Sequence, residues 1–548
     1  MSKEVKKSIA IQGSILALAG IITKIIGFIY RIPMANILKN NGNGLYSVAF
    51  GIYNIALTLS SYSMPLAVSK LMSERLAKKE YKNAHRLYAR AFIFAVCTGL
   101  IACLALYFGA DFFAGLYKRE GLERPLRILA PTTFVVALLG TCRGFFQGHR
   151  NMVPTAVSQI FEQIVNAIVS VVASWYFIKQ CTVETEEASY GAMGGTMGTL
   201  AGAMTALLIF AVLFLKRRKT IAEEKQGEDA ITESNKLIFK AIFLTVLPII
   251  ISQSIYQLGY TVDDLLYGNI MAAKGMDAET ATSLQGVFNT QYNQMVNLPV
   301  AIATAMASAT LPSVVASYTT GAFDSVKRKI TMVLKMNMMI AIPASIGLAA
   351  LAGPIMEVLF SSLEDLHGTA VTLLTTGSFA VFFYALSTLS TSILQGCNRM
   401  RVPVVHVAIS LAIHVLLVWI LLTNTDLGVY ALVIGNVSFP LLVSILNCIS
   451  IRKYVEYQFD LKRIFLKPLL AAVVMGGATF GAYALLVRIL GGVVRFGERT
   501  GLTRSKNAIC LVVSIMVAAV VYGVMLIVLK AFTKEELKAM PLIKKFVK

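Results

Sequence analysis

Apolar residues along this chain gather into runs of about 20, the length a helix needs to cross a bilayer's hydrocarbon core. Fourteen runs are counted, centred near Gly20, Ala56, Cys103, Ala137, Ser170, Met204, Ile250, Ala303, Ile342, Phe382, Leu416, Leu441, Ala482 and Val517. Several are separated by little more than half a dozen residues, which leaves no room for a soluble domain. The first run, Ile9 to Tyr30, is longer than a signal-peptide core and lacks a small-residue cleavage site, so it reads as a retained span. The pattern predicts an all-α polytopic membrane protein with about 14 transmembrane helices.

Two motifs recur. Gln147-Gly148, a short basic loop and Val153-Pro154 are matched by Gln395-Gly396, a short basic loop and Val402-Pro403. Met64-Pro65-Leu66-Ala67-Val68 is matched by Leu298-Pro299-Val300-Ala301-Ile302. The offsets are 248 and 234 residues, and a longer intervening stretch in the second copy accounts for the drift. Six spans, a charged linker and six more, related by a parallel repeat, is a two-lobed transporter arrangement. The expected organisation is an N-lobe over 1–220, a cytoplasmic linker over 221–236, a C-lobe over 237–460, and spans 13 and 14 with a cytoplasmic tail over 461–548.

Composition agrees. Hydrophobic residues make up 56% and charged residues 14%, against about 25% charged in an ordinary soluble protein. The net charge of +21 would point to nucleic acid in a soluble chain. Here its distribution matters more. The N-terminal side carries 36 Lys and Arg, the other side 12, and only Lys24 and Arg31 stand within spans. That bias predicts cytoplasmic termini, a plasma-membrane location and no nucleic-acid partner. A basic cluster from Arg488 to Lys506 departs from the rule. The seven cysteines show no C-x-x-C spacing, so neither a disulfide framework nor a metal site is expected. No Walker loop, dinucleotide fingerprint, H-E-x-x-H or nucleophile elbow is present, so no catalytic residue and no cofactor is expected.

Some polar residues stand out inside the apolar runs. Lys24 lies about halfway through the first span, and Arg31, seven residues on, shares its helix face. A cation at that depth is costly unless it meets water or an anion; Arg31 could instead reach the interface with its long side chain. Gln159, Glu162, Gln163 and Asn166 form one stripe on the fifth span, and His406, Ser410 and His414 stand at the corresponding place on the eleventh. These read either as hydrogen-bonded packing or as coupling groups, with Glu162, His406 and His414 the candidates for coupling. Tyr53 and Asn54, then Gln253, Gln257 and Tyr260, then Tyr292, Asn293 and Asn297 make the first two spans of each half polar and aromatic. Such residues suit a wet cavity facing sugars, or glue between helices. Asp263 and Asp264 are expected at the outer interface, solvated.

Thr23-Lys24-Ile25-Ile26-Gly27-Phe28-Ile29-Tyr30-Arg31, Gly44-Leu45-Tyr46, Pro65-Leu66-Ala67-Val68-Ser69-Lys70, Phe146-Gln147-Gly148 and Ser158-Gln159-Ile160-Phe161-Glu162-Gln163 resemble the polysaccharide-export branch of the multidrug/oligosaccharidyl-lipid/polysaccharide exporter superfamily. Within it the chain is most similar to the stage V sporulation protein B group and Gram-positive lipid II flippases. The resemblance implies a fourteen-helix bundle, a central cationic cavity with Lys24 and Arg31 as its cations, and a groove for a lipid tail at the last two helices. It implies transport of an undecaprenyl-pyrophosphate-linked precursor, lipid II as best guess, from the inner to the outer leaflet by alternating access. Better-studied lipid II flippases pair the span-one arginine with an aspartate and carry an arginine and an acidic residue in span eight. This chain reads Tyr30-Arg31-Ile32 and Tyr292-Asn293-Gln294 there.

The expected partners are a lipid-linked oligosaccharide and membrane lipid. A coupling cation or the membrane potential, and cell-wall synthesis proteins, stay open as further partners. Two other functions stay open: a cation-coupled multidrug exporter of the same superfamily, and a non-transporting scaffold for envelope or spore-coat assembly.

Overall fold

In a bilayer core every backbone N–H and C=O needs an internal partner, which long apolar runs supply by coiling into helices. The computed structural model describes residues 3–225 and 233–531. Among them there is no strand, and each of the fourteen expected span centres falls within a helix. Among the described residues eleven segments are long and apolar enough to cross a membrane. One of these, Leu18–Ala77, runs for 60 residues. It contains a sharp backbone break at Lys39, whose φ of 55° and ψ of −170° interrupt the helix Lys3–Ser60. Of the expected linker, 221–225 is helical and 226–232 lies outside the described residues.

The chain divides into two units, Met1–Gly286 and Val287–Lys548. The helix Asn235–Ala273 belongs to the first.

In the first unit, the helices Val153–Gln180 and Glu187–Lys216 approach along a seam of glycines. A Cβ on Gly194 would stand 2.6 Å from the Ala173 carbonyl carbon, and one on Gly202 2.5 Å from the Glu162 carbonyl oxygen. Ser170 and Ser174 donate across the seam to the Gly195 and Gly191 carbonyls at 2.8 and 3.0 Å. Small residues that let backbones close in are the usual solution where lipid offers no hydrophobic drive between helices. A second close seam joins the helix Glu123–Gly148, through Gly140, Gly144 and Gly148, to the helix Met64–Ala77.

In the second unit the core lies among the helices Asn293–Thr319, Phe323–Ala350, Phe379–Gly396 and Val429–Val455. The helices Lys467–Ile489 and Arg504–Val528 are tied together by Tyr483, whose hydroxyl donates to Asn507 Oδ1 at 2.6 Å. Tyr522 donates to the Met339 carbonyl at 3.0 Å, anchoring the last helix to Phe323–Ala350. The basic cluster 488–506 also has structural work. Arg504 Nε donates to the Val358 carbonyl at 2.7 Å, and Arg499 Nη2 to the Ser361 carbonyl at 3.3 Å. Both arginines thus serve acceptors at or just past the carboxyl end of the helix Ala352–Leu359, where cations are favoured.

The repeat extends to backbone conformation. After Gln147-Gly148 the chain turns through Arg150 at φ 60°, and after Gln395-Gly396 through Asn398 at φ 58°. Arg150 N–H donates to the Gln147 carbonyl and Asn151 N–H to that of Phe146; Asn398 and Arg399 donate likewise to Gln395 and Leu394. The proline motifs differ. Pro65 opens a new helix after a break at residues 61–63, whereas Pro299 lies inside the helix Asn293–Thr319.

Candidate functional site: a polar wall with two exposed cations

The polar stripe of the helix Val153–Gln180 meets the first helix within the first unit. A Cβ on Gly27 would stand 3.3 Å from Gln163 Nε2, so the glycine makes room for that amide. Asn166 Nδ2 donates to the Tyr30 hydroxyl at 3.4 Å, and its Oδ1 lies 2.9 Å from Ser170 Oγ. Glu162 forms an ion pair with Arg143 of the helix Glu123–Gly148. Tyr53 lies within electrostatic range of Glu162. Tyr46 lies close to Tyr30, Arg31 and Tyr53.

Lys24 and Arg31 are exposed on the helix that meets this wall. Arg31 lies against the phenols of Tyr30 and Tyr46. Among the described residues neither cation forms an ion pair with a carboxylate, and the wall's one carboxylate, Glu162, is taken by Arg143. Lys24, Arg31, Arg143 and Glu162 therefore carry a formal charge of about +2 together, with the uncompensated part on the first helix. An exposed apolar face of the same helix, Leu18, Ile21, Ile25 and Ile29, flanks the cations. A dianion with an apolar tail matches that surface in both charge and polarity.

The other expected residues divide. Asn54 is half-buried in the first unit. Tyr53 is 3% exposed and packs beside Phe50 in the core of the first unit, so it is not an open cavity surface. Gln253, Gln257 and Tyr260 belong to the helix Asn235–Ala273, but their side chains lie outside the described residues.

In the second unit Asn297 is exposed and Asn293 half-buried. Tyr292, expected to line a cavity, is instead fully buried. Its hydroxyl lies 3.0 Å from the Gly377 carbonyl and 3.1 Å from Asn436 Oδ1, at the end of a π-helical stretch Val287–Tyr292. His406 and His414 occupy packing positions. The network assigns Nδ1–H of His406 as donor to Asn447 Oδ1 at 2.7 Å, with Ser450 Oγ at 3.3 Å from Nε2. His414 Nδ1–H donates to the Gly435 carbonyl at 3.1 Å. Among the described residues no group of three or more His, Cys, Asp or Glu could hold a metal ion.

Two features escaped the sequence. Arg143 reads there as one more basic residue of a loop, yet it belongs to a helix and neutralises Glu162. Asp263 and Asp264, expected to be solvated, are 8% and 7% exposed. Asp264 Oδ1 accepts from Gln285 Nε2 at 2.6 Å, and Gln285 Oε1 accepts from Arg119 Nη2 at 2.8 Å. The three form a buried polar chain within the first unit.

A family model described as Polysaccharide biosynthesis protein matches residues 10–317, and one described as MatE matches residues 248–420. The lipid II flippase MurJ of Bacillus subtilis (strain 168) is 26% identical over 475 residues, spanning 84% of this chain and 86% of that protein. Stage V sporulation protein B of the same organism is 24% identical over 534 residues, 97% of this chain and 98% of that protein. A solved structure of lipid II flippase MurJ in an inward closed conformation aligns with a TM-score of 0.65 at 14% identity, covering 94% of this chain and 99% of that one. That last likeness concerns the fold.

Proposed function

The chain belongs to the polysaccharide biosynthesis protein family, and we propose that it is a flippase for a lipid-linked cell-wall or polysaccharide precursor. Its substrate in this reading is lipid II or a close relative carrying an undecaprenyl-pyrophosphate. The observation that carries the reading is the pair of exposed cations, Lys24 and Arg31, beside a polar wall whose one carboxylate is already neutralised. The names of the relatives, a lipid II flippase and a sporulation protein, support it.

In mechanistic terms Lys24 and Arg31 hold the two phosphates. They are seven residues apart, roughly 10 Å along a helix, a span that takes a pyrophosphate and its first sugar. Gln163 and Asn166 offer amides to the sugars. The cations are placed at a depth where an anion lowers their cost, so substrate and site stabilise each other. The polyprenyl tail runs outside the bundle, along the apolar faces of the helices Lys467–Ile489 and Arg504–Val528, where Val473, Phe480, Val512 and Val520 are exposed. Both termini and the linker are cytoplasmic in this reading, following the basic bias of the loops.

The MatE match over residues 248–420 favours a second reading, a cation-coupled multidrug exporter. That reading needs a free acidic site for a cationic cargo, and the ion pair of Glu162 with Arg143 speaks against one here. The two separate in one experiment. The gene is expressed in a strain depleted of its essential lipid II flippase, and growth is scored beside resistance to cationic drugs. Restored growth without added resistance is expected; resistance without growth would transfer the assignment to the exporter.

A further inference from the structure

A cavity of about 600 Å³ opens in the first unit among the helices Tyr81–Phe108, Glu123–Gly148 and Glu187–Lys216, beneath the short helix Arg218–Lys225. Tyr88, Phe92, Phe145, Leu207, Phe214 and Ile221 give it an apolar lining. It lies on the flank of the bundle. Ile93, which also lines it, is 44% exposed, and Leu208 and Val212 beside it are 63% and 50% exposed. These belong to membrane-crossing helices, so the open side faces acyl chains rather than water.

A run of four cations adjoins the residues that line one end of this cavity. Phe214 and Ile221 both line it, and between them in sequence stand Lys216, Arg217, Arg218 and Lys219. None of the four forms an ion pair with a described carboxylate, and Nη1 of Arg217 is buried without a hydrogen-bond partner. The guanidinium instead lies 5.8 Å from the Phe146 ring centroid. Among the described residues the charged neighbours do not cancel the excess. Glu224 is held by His85 at 2.8 Å and His149 at 3.5 Å, and Glu223 is exposed to solvent. A buried unpaired donor is costly, and an apolar slot with a cationic mouth at the membrane interface is the form basic lipid pockets take.

We infer that this cavity is a binding site for an anionic phospholipid, one acyl chain lying in the slot and the headgroup phosphate meeting Arg217, Arg218 and Lys219. Its occupant comes from the leaflet on the N-terminal side. Ile221 belongs to the helix that begins the inter-lobe linker, and Glu224 pins that helix to His85. A lipid beneath Ile221 therefore bears on the seating of the linker. The site is separate from Lys24 and Arg31, and it stands or falls apart from the flippase reading.

The test reads bound lipid, not transport. The full chain is reconstituted in nanodiscs of phosphatidylglycerol and phosphatidylcholine in equal parts, transferred to detergent, and its retained lipid weighed by native mass spectrometry. Retention of phosphatidylglycerol about tenfold over phosphatidylcholine is expected, equivalent to about 1.4 kcal/mol, from the three cations at the mouth. The triple variant Arg217→Gln, Arg218→Gln, Lys219→Gln should bring that ratio near one while still retaining lipid. Ala211→Trp and Ile93→Trp, which fill the slot, should lose lipid of both kinds, with unfolding temperatures in phosphatidylcholine alone near that of the parent. Equal retention of the two lipids by the parent, undiminished retention by both tryptophan variants, or a polyprenyl phosphate as the retained species would overturn the inference.

Discussion

Gly198 offers the sharpest check on how the polar wall is held in place. A Cβ built on it stands 2.1 Å from Ser170 Oγ and 2.6 Å from both the Asn166 carbonyl oxygen and the Ser170 nitrogen. Ordinary contact is about 3.5 Å, so a methyl forces the helices Val153–Gln180 and Glu187–Lys216 roughly 1 Å apart. Overpacking of that kind costs about 1–3 kcal/mol. Separation also loosens two interhelical bonds, Ser170 to Gly195 and Ser174 to Gly191, each about 0.6 kcal/mol in a membrane. Alanine returns about 1 kcal/mol through helix propensity. Gly198→Ala should therefore lose about 1–3 kcal/mol net in reversible unfolding from mixed micelles. Gly477→Ala and Gly523→Ala, whose added Cβ atoms meet nothing within 4 Å, should be neutral or slightly stabilising. Ser170→Ala should not rescue Gly198→Ala, because two of the three close atoms are backbone. Parental stability in Gly198→Ala, or full rescue by Ser170→Ala, would refute the account of the seam.

Arg143→Ala should destabilise by about 1–3 kcal/mol by leaving the partly buried Glu162 without its partner, and the exchange Arg143→Glu with Glu162→Arg should recover part of it in a double-mutant cycle; additive effects would deny the pair. Tyr292→Phe should cost about 1 kcal/mol in the same unfolding assay by removing the hydroxyl shared with Gly377 and Asn436, and Gly377→Ala should cost more, since its Cβ would stand 2.4 Å from that ring. A single cysteine at Lys219, in a chain cleared of its seven native cysteines, should resist impermeant maleimide in intact cells; labelling there would reverse the topology. Removing residues after Leu461 should abolish transport of long-chain precursors while the remaining bundle stays folded, and full transport by that truncation would exclude a tail groove on the last two helices.

The helices were legible because membrane hydropathy is a strong signal: each expected span centre lies in a helix. The repeat was legible through Gln147-Gly148 and Gln395-Gly396, and its loops share a left-handed residue three positions on. The stripe of Gln159, Glu162, Gln163 and Asn166 was legible as one helix face. What that face would meet was not. Periodicity gives a direction around one axis, while the partner depends on which neighbouring helix lies there and at what height. Arg143 therefore passed for a loop cation, and Tyr292 for a cavity residue.

Asp264 shows the same limit. At the end of an apolar run it looks solvated, but Gln285, 21 residues on, returns to bury it. Gly286 packs against the first helix there, its Cβ position 2.3 Å from the Asn40 carbonyl oxygen. Arg499 and Arg504 look like exceptions to the charge bias until helix-end carbonyls are seen to hold them.

The cationic site itself is tested most directly by flipping measured with purified protein. Parent, Lys24→Ala, Arg31→Ala and Lys24→Arg are reconstituted in vesicles with a fluorescent undecaprenyl-pyrophosphate-linked sugar, and its arrival in the outer leaflet is followed by quenching. The expected result is transport by the parent, strong loss in both alanine variants at unchanged unfolding temperature, and partial activity in Lys24→Arg, because a phosphate accepts either cation. Undiminished transport in both alanine variants would contradict the cationic mechanism.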